Sequence, residues 1–487
     1  MITFLISLAA LVLGYLVYGR FVERIFVPDD RVTPAVAQAD GLDYVAMPYW
    51  KVFMIQFLNI AGTGPIFGAI MGAKFGPAAY LWIIFGCIFA GAVHDYFVGM
   101  LSMRNGGCDL PELVRRYLGG AASKVLLVFA VFLLIMLGTV FVYSPAEILH
   151  GISGSTTMWI TIIFIYYVVA TMLPIDKIIG KIYPLFSFSL LFMAVALMAV
   201  LFVKWPALPE LWDGVGNMGK AADPASFTDN IFPCLFITIA CGAISGFHAT
   251  QSPLMARCLT SERKGSPIFY GALITEGLVA LVWATVSMWF FYDAPQPGYA
   301  QIGGTMANGL HTSAPVVVNL VCKDWLGIVG GVLAMLGVVA APITSGDTAF
   351  RSARLIIAQA LKLSQRAKKN RLYICVPLFA ASFAMLVWQM ENPDGFNTIW
   401  QYFGWANQTL SVFALWTITV YLVRERKPYV ITLVPALFMT CVCTTFFMVS
   451  KTALGLPYTV GYGVGATALV VAAVWFVVWM KKSNCKG

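Results

Sequence analysis

Apolar runs long enough to form membrane helices, roughly 20 residues each, recur along the whole length of this chain. Backbone inside a lipid bilayer has no water to bond, so each such run must satisfy its own hydrogen bonds as a helix. The charge content agrees, because 11% of the residues are charged, whereas soluble domains carry about 25%. The sequence therefore predicts an all-α polytopic membrane protein.

The apolar runs predict thirteen transmembrane helices. We interpret the first as a retained span rather than a signal peptide, because no basic residue precedes it and Arg20 and Arg24 follow it. In chain order, the predicted spans are 2–20, 51–74, 77–101, 124–149, 155–173, 182–204, 231–257, 267–292, 325–348, 372–390, 396–421, 429–450 and 458–480.

Basic residues lie unevenly on the two sides that these spans define. The connections on one side carry 26 of the 31 Lys and Arg residues. Cytoplasmic connections of membrane proteins are enriched in Lys and Arg, so we expect the N-terminus outside and the C-terminus in the cytoplasm. The formal net charge of +9 is then a basic collar at the cytoplasmic surface and indicates no nucleic-acid partner.

The densest basic segment is RLIIAQALKLSQRAKKNR, residues 354–371. We interpret it as an interfacial helix close to anionic lipid. The two largest extracytoplasmic connections, near 205–230 and 293–324, contain Gly and Pro and are predicted to be loops that can cover a transport pathway.

Ten cysteines are present, and most of them fall within apolar runs. Cysteine in such places usually serves as a small packing residue. Neither the C-x-x-C spacing of zinc sites nor a secreted disulfide framework occurs. The sequence therefore predicts no resident metal and no cofactor.

The stretch LNIAGTGPIFGAIMG, residues 58–72, interrupts the second predicted span. It places several glycines, a proline and two polar side chains in an apolar run, although Gly and Pro are the weakest helix formers. Unwound backbone at membrane depth is tolerated only where it lines a cavity or is buried in protein. The stretch therefore predicts a discontinuous helix whose free peptide groups serve as ligands.

A second interruption lies in the seventh span, between Gly242 and Gly246. A single glycine cluster has an alternative explanation in close helix packing through small residues. Two clusters five spans apart favour a 5+5 inverted repeat of the leucine-transporter-like kind, because an odd number of spans reverses orientation and brings both breaks together near the midplane. The residues predicted to contact substrate are Asn59, Gly62, Thr63, Gly64, Gly242, Ser245, Gly246, His248 and Gln251.

The repeat divides the chain into five parts. An extra span, 1–25, precedes a first five-helix repeat, 50–204, and the extracytoplasmic loop 205–230 follows it. The second repeat is predicted at 231–421, and two C-terminal spans are predicted at 429–481.

A third polar cluster, APITSGDTAFRSAR, lies toward the cytoplasmic end of the ninth span. In a 5+5 repeat, a hydroxyl pair here would meet freed carbonyls near Ala61 and Gly62. Oxygen ligands of this kind suit Na⁺. The predicted ligands on the ninth span are Thr344, Ser345 and Asp347, with Thr348 beside them.

Ionisable residues within spans are candidates for function. His94 and Asp95 are adjacent on the third span, so they point about 100° apart and need not pair. An alternative role for Asp95 and Arg104 is structural ion pairing with another helix. We expect Glu276 to serve as a proton relay or ligand contact, whereas Glu147 has an alternative place at the outer interface.

Polar and aromatic residues are mixed in the eleventh span, IWQYFGWANQTLSVFALW. Two interpretations of Gln401, Asn407 and Gln408 stay open: hydrogen bonding between helices beside an aromatic belt, or a wall of the substrate cavity.

Five stretches together resemble the successive signatures of the carbon starvation protein A family. The resemblance covers about 49–410 and implies an inner-membrane secondary transporter of the amino acid–polyamine–organocation superfamily. Its members are linked to uptake of peptides or pyruvate. The five stretches are NIAGTGPIFGAIMGAKFG, GCIFAGAVHDYFVGMLSMRNGG, CGAISGFHATQSP, TSGDTAFRSARL and WQYFGWANQTL.

We therefore expect a bacterial plasma-membrane importer, and not an enzyme, for a carboxylate-bearing peptide or pyruvate. Two coupling ions stay open, since hydroxyls favour Na⁺ and the buried His and carboxylate residues favour H⁺. The alternatives are a channel and an intramembrane serine protease using Ser245 with His248 or His94. The residues predicted to couple transport to a cation are Ala61, Thr344, Ser345, Asp347, His94, Asp95 and Glu276.

Overall fold

The computed structural model describes residues 1–151, 153–172, 175–218, 229–292, 313–365, 367–392 and 395–484. Parts of the predicted loops 205–230 and 293–324 lie outside these residues. The described chain is helical, and its helices are α1 Ile2–Phe26, α2 Pro34–Ala37, α3 Tyr49–Ile60, α4 Gly64–Gly72, α5 Ala78–Arg104, α6 Leu110–Tyr117, α7 Gly120–His150, α8 Thr156–Met172, α9 Ile175–Lys204, α10 Ile231–Thr238, α11 His248–Ala256, α12 Glu262–Tyr292, α13 Ala314–Ala360, α14 Lys368–Glu391, α15 Gly395–Arg424, α16 Val430–Val449 and α17 Tyr458–Asn484.

All thirteen predicted spans fall on helices, but not all are complete membrane crossings. Within the described residues, ten helices are long and apolar enough to span a bilayer, and α3 with α4 forms an eleventh that is bent by 41°. The two remaining predicted spans are α8, which has 17 residues, and the pair α10 and α11. α8 is too short to count as a complete crossing. α10 and α11 do not form one continuous helix, because nine residues of irregular backbone, 239–247, separate them.

The interruptions predicted from glycine content are confirmed as breaks between helices. α3 ends at Ile60 and α4 begins at Gly64, with Pro65 in its first turn. Gly242 has a φ of +86°, a conformation that costs little only for glycine. The backbone at the second break therefore requires this glycine.

The two breaks lie side by side. A Cβ placed on Gly64 would lie 2.3 Å from Cys241 Cβ, and one on Gly68 would lie 2.9 Å from the Thr238 carbonyl oxygen. The half-helix α4 thus packs directly on the end of α10 and the start of the break that follows it. Glycine permits this approach because it has no side chain.

Long helices enclose the two broken spans. α12 packs on α3 and α4, α5 packs on α11, and α13 packs on α7 and α9. In α5 and α12, 83% of the membrane-length segment is buried, compared with 11% in α17. The C-terminal helix is therefore peripheral, and the breaks lie at the centre of the bundle.

The basic segment 354–371 does not form a single interfacial helix, so that prediction is wrong. α13 continues to Ala360, Lys362 adopts a φ of +55°, and α14 begins at Lys368. Arg354 is 1% exposed and packs in the protein interior. The segment is instead the end of one span, a turn and the start of the next.

Candidate functional site

A chain of buried imidazoles and carboxylates leads to the second break. His94 Nδ1 lies 2.7 Å from Asp95 Oδ1, and Asp95 Oδ2 lies 2.9 Å from His248 Nδ1. His248 Nε2 lies 3.5 Å from Glu276 Oε2. All four side chains are fully buried. Residues from α5, α11 and α12 therefore form one continuous titratable chain, which we call the relay.

The relay ends on unwound backbone. Glu276 Oε1 accepts a hydrogen bond of 3.0 Å from the N–H of Gly242, while the Cys87 thiol donates to the Gly242 carbonyl at 2.9 Å. Both peptide groups of this glycine are thus satisfied by side chains rather than by helix. Glu276 therefore connects the relay directly to the broken span.

The structure gives the partners of His94, Asp95 and Arg104, which the sequence left open. His94 and Asp95 do pair, although adjacent positions point about 100° apart, because the short carboxylate reaches both His94 and His248. Arg104 pairs with Glu262, at 2.7 Å, and not with Asp95. The structural alternative therefore holds for Arg104, which pairs with a residue of α12, while Asp95 contacts one histidine of its own helix and one of α11.

Asn407 of α15 holds the irregular backbone of the second break. Its Oδ1 accepts hydrogen bonds from the Phe247 N–H at 2.6 Å and from the Ser245 hydroxyl at 3.1 Å. Its backbone carbonyl accepts from the Gly246 N–H at 3.1 Å. Of the two interpretations of Asn407, the structure favours hydrogen bonding between elements, and it also assigns the Ser245 hydroxyl to this network.

The hydroxyl pair of α13 divides between two partners. Ser345 Oγ donates to the carbonyls of Leu58 at 3.1 Å and Asn59 at 3.0 Å, at the end of α3. Thr344 Oγ1 donates within its own helix, to Ala340 and Ala341. The predicted meeting of α13 with α3 thus involves Ser345, and its bonded carbonyls precede Ala61 and Gly62 by one turn or less.

Ala61 and Gly62 do not accept the Ser345 hydroxyl, but they follow the bonded carbonyls closely in the chain, and Gly62 lies close to Ser345. Ala61 is fully buried, and a Cβ on Gly62 would lie 3.0 Å from Ser345 Oγ and 2.9 Å from the ring of Phe141. Asp347 is also buried, but its Oδ2 accepts from the Tyr183 hydroxyl at 2.8 Å. Asp347 therefore connects α13 to α9.

Several buried polar atoms of the two broken spans make no hydrogen bond within the described part of the chain. They are Asn59 Oδ1 and Nδ2, Thr63 Oγ1 and Gln251 Oε1. Leaving such an atom unpaired in the interior costs about 1–3 kcal/mol. Gln251 is otherwise held by its Nε2, which donates to Thr250 and Ser352. Atoms of the broken spans without a partner among the described residues are free to bind a polar solute.

Sequence reasoning missed Cys241 as a member of the site, because it was interpreted as a packing residue. Its Sγ lies within 4.8 Å of ligand atoms of His248 and Glu276. The only signal in the sequence is its position directly before Gly242, at the break itself.

Gly246→Ala should destabilise the protein more than Gly62→Ala. A Cβ at Gly246 would lie 2.2 Å from the Asn407 carbonyl oxygen, which is backbone, and overpacking of this kind costs about 1–3 kcal/mol. At Gly62 the nearest atoms belong to side chains that can move. Chemical denaturation of both purified variants in detergent measures the difference, and a wild-type transition for Gly246→Ala would contradict the packing.

Two broken membrane helices placed side by side and enclosed by complete helices define a membrane transporter of the leucine-transporter-like class. The family model "Carbon starvation protein CstA" matches the chain over residues 1–150, 142–320 and 300–446. The chain belongs to this family.

Curated relatives agree with the family. A protein of Haemophilus influenzae described as an uncharacterized membrane protein is 44% identical over 344 residues, covering 61% of this chain and 92% of the relative. The peptide transporter CstA of Escherichia coli is 26% identical, covering 90% of this chain and 79% of its own length. The pyruvate/proton symporter BtsT of the same organism is 28% identical, covering 69% and 56%.

Solved structures share the fold at low sequence identity. A Na⁺-coupled sialic acid symporter in its substrate-bound outward-open state matches with a TM-score of 0.55 and 13% identity, covering 97% of this chain and 96% of the symporter. MhsT in complex with L-phenylalanine matches with a TM-score of 0.53 and 11% identity, covering 86% and 98%. The predicted leucine-transporter-like fold is thereby confirmed.

Proposed function

We propose that this protein imports a small carboxylate-bearing solute, pyruvate or a short peptide, by H⁺ symport with alternating access. The observation that carries the proposal is the continuous buried relay from His94 through Asp95 and His248 to Glu276. Ionisable groups within membrane spans are costly and mark proton and substrate pathways. Because the relay ends on Gly242, proton transfer along it alters the bonding of a broken span.

The carboxylate of the solute is assigned to the half-helix termini. α4 begins at Gly64 and α11 begins at His248, and the positive end of a helix dipole favours an anion. The unpaired polar atoms of Asn59 and Thr63 lie around the first of these termini. The names of two relatives, a peptide transporter and a pyruvate/proton symporter, support this class of solute.

The plasma membrane of a bacterium is the proposed location, with the N-terminus outside and the C-terminus in the cytoplasm. The excess of Lys and Arg on one side supports this orientation, since 26 of 31 fall there.

A transporter accounts for the site better than a channel or a protease does. The Ser245 hydroxyl donates to Asn407, and the Nδ1 atoms of His94 and His248 both face Asp95, so neither histidine is assigned to Ser245 as a base. A channel requires a continuous polar path, whereas the residues at both breaks are buried. We therefore propose no enzymatic activity.

Na⁺ is a second candidate for the coupling ion, because Ser345 Oγ faces two carbonyl oxygens at the end of α3. Under Na⁺ coupling, Ser345→Ala should raise the Na⁺ concentration for half-maximal uptake about tenfold or more, since a bond to a charged group contributes about 1.5–3 kcal/mol. Thr348→Ala is the matched control, because among the described residues that hydroxyl donates to the carbonyls of Thr344 and Ser345 in its own helix. An unchanged Na⁺ dependence in Ser345→Ala would remove this candidate.

Uptake by purified protein in proteoliposomes tests the proposed function. We expect labelled pyruvate or dialanine to accumulate when the outside is more acidic than the inside, with Na⁺ absent. The accumulation should collapse when a protonophore removes the gradient. Accumulation that continues without either ion gradient would refute coupled transport, and equilibration without accumulation would favour a channel.

A further inference from the structure

Cys241, His248 and Glu276 bring three different metal-ligating groups to one point at the second break. One ligand atom from each, a sulfur, a nitrogen and an oxygen, lies within 4.8 Å of the other two, and all three residues are buried. Two of these atoms, His248 Nε2 and Glu276 Oε2, are 3.5 Å apart. Tetrahedral zinc, with bonds of about 2.0–2.3 Å, holds its ligand atoms roughly 3.2–3.8 Å apart. The spacing of this pair already suits a shared metal ion.

The same two atoms face each other as an ion pair at 3.5 Å but make no hydrogen bond within the described chain. His248 Nε2 and Glu276 Oε2 make no hydrogen bond to any described residue, although both side chains are fully buried. An unpaired buried polar atom costs about 1–3 kcal/mol, and more when it is charged. Both atoms face each other across the position that a bound ion would occupy. This is an observation about ligands that is independent of the residue types.

The other polar atom of each of these two side chains, His248 Nδ1 and Glu276 Oε1, is fixed by a contact with a neighbouring residue, as is usual for metal ligands. His248 Nδ1 lies 2.9 Å from Asp95 Oδ2, and in the tautomer that donates its Nδ1–H to this carboxylate the lone pair is on Nε2. Glu276 Oε1 accepts from the Gly242 N–H at 3.0 Å, which leaves Oε2. A ligating histidine that donates its other N–H to a carboxylate is the usual outer-shell arrangement of zinc sites.

We propose that Cys241 Sγ, His248 Nε2 and Glu276 Oε2 form a binding site for a divalent transition-metal ion of the Zn²⁺ class. A thiolate and an imidazole select such ions over Na⁺, Mg²⁺ and Ca²⁺, which prefer oxygen ligands. The thiolate and the carboxylate together neutralise a 2+ charge, which a buried site demands. Three protein ligands leave a fourth position for water.

Apart from the position of Cys241 directly before Gly242, the sequence carries no sign of this site, and we expected no metal from it. Cys241 and His248 are seven positions apart with irregular backbone between them, and Glu276 lies on another helix. Zinc motifs recognised in sequences have closely spaced ligands in regular hairpins or helices. Here the break itself turns Cys241 toward the other two ligands.

Metal and proton transfer compete for the same atoms. An ion at this site holds Nε2 of His248 and Oε2 of Glu276, which are the last link of the relay. Inhibition of uptake by Zn²⁺ is therefore a consequence that rests on the proposed function, whereas the binding site does not. The experiment below measures metal binding without transport.

The test is the metal content of the purified full-length protein. Wild type and two single variants are loaded with Co²⁺ or Zn²⁺, both during expression and after purification, and then separated from free metal. Cys241→Ser removes the thiolate with little change in volume. Cys87→Ser is the matched control, because Cys87 is a buried thiol at the same break that donates to the Gly242 carbonyl.

We expect about one metal ion per chain in wild type and in Cys87→Ser, together with a thiolate-to-Co²⁺ charge-transfer band. Cys241→Ser should lose the band and bind the ion at least about tenfold more weakly. Gel filtration and thermal unfolding establish that all three proteins are folded. Folded wild type that holds no metal, or Cys241→Ser that keeps both the ion and the band, would overturn the proposal even if H⁺-driven uptake is observed.

Discussion

Glu276→Gln should abolish solute accumulation driven by a pH gradient, while solute exchange across the membrane continues. With one proton per solute, each pH unit across the membrane corresponds to about 1.4 kcal/mol and supports roughly a tenfold accumulation ratio. A glutamine cannot release a proton, so the ratio should fall to equality. Its Oε1 can still accept the Gly242 N–H, as Glu276 Oε1 does at 3.0 Å, and the broken span keeps its support.

Proteoliposomes measure both activities with the same labelled solute, as net uptake under a pH gradient and as counterflow without one. Glu147→Gln is the matched control, because Glu147 is a carboxyl of α7 that accepts from the Ser313 hydroxyl and is not part of the relay. It should retain gradient-driven uptake. Wild-type accumulation in Glu276→Gln would exclude this carboxyl from proton coupling, and loss of counterflow as well would indicate a role in solute binding.

Asp109→Asn should produce the largest loss of stability among the charge substitutions considered. Asp109 lies 2.6 Å from Arg257, and both residues are at most 7% exposed. Burial raises the pKa of the Asp109 carboxyl while the Arg257 guanidinium lowers it, and the burial effect is the larger. The pair is therefore no large source of stability by itself, but its disruption leaves a buried guanidinium uncompensated, which costs about 3–5 kcal/mol.

The exposed pair Arg263–Asp30 supplies the comparison. Its closest atoms are also 2.6 Å apart, but the two side chains are 60% and 75% exposed. Exposed ion pairs contribute about 0–1 kcal/mol, so Asp30→Asn should unfold almost as wild type does. Chemical denaturation in detergent gives both values. Equal losses for the two variants would mean that burial does not govern the strength of these pairs.

Hydropathy and glycine content predicted the architecture because both act locally. Each apolar run must form a helix in lipid whatever surrounds it, and all thirteen predicted runs contain helix. The breaks were found for the same reason, since Gly62, Gly64 and Gly242 weaken a helix wherever it packs. The repeat followed from counting spans between the breaks.

The partners of polar side chains were only partly predictable. Ser345 was expected to meet carbonyls near Ala61 and Gly62, and it bonds those of Leu58 and Asn59 instead. A shift of one turn or less is within the uncertainty of any span boundary read from sequence. Which neighbouring carbonyl the Ser345 hydroxyl bonds depends on the relative position of α13 and α3.

The relay and the proposed metal site depended on packing alone. Asp95 and His248 are 153 positions apart, and nothing in either local sequence specifies that one carboxylate reaches two histidines. Asn407 became a cap for irregular backbone because α15 passes the second break within hydrogen-bond distance. Such contacts are set by the relative rotation and depth of distant helices, which hydrophobic patterns constrain only weakly.

The sequence by itself determined a helical membrane protein and the places where two of its helices break, and its basic residues predict an orientation. Those properties follow from the free energy of transferring each segment from water to lipid, which depends on the composition of that segment alone. Only the tertiary structure decided that Cys241, His248 and Glu276 share one point. That arrangement depends on the packing energy of many segments together, so it cannot be predicted from any single stretch of the chain.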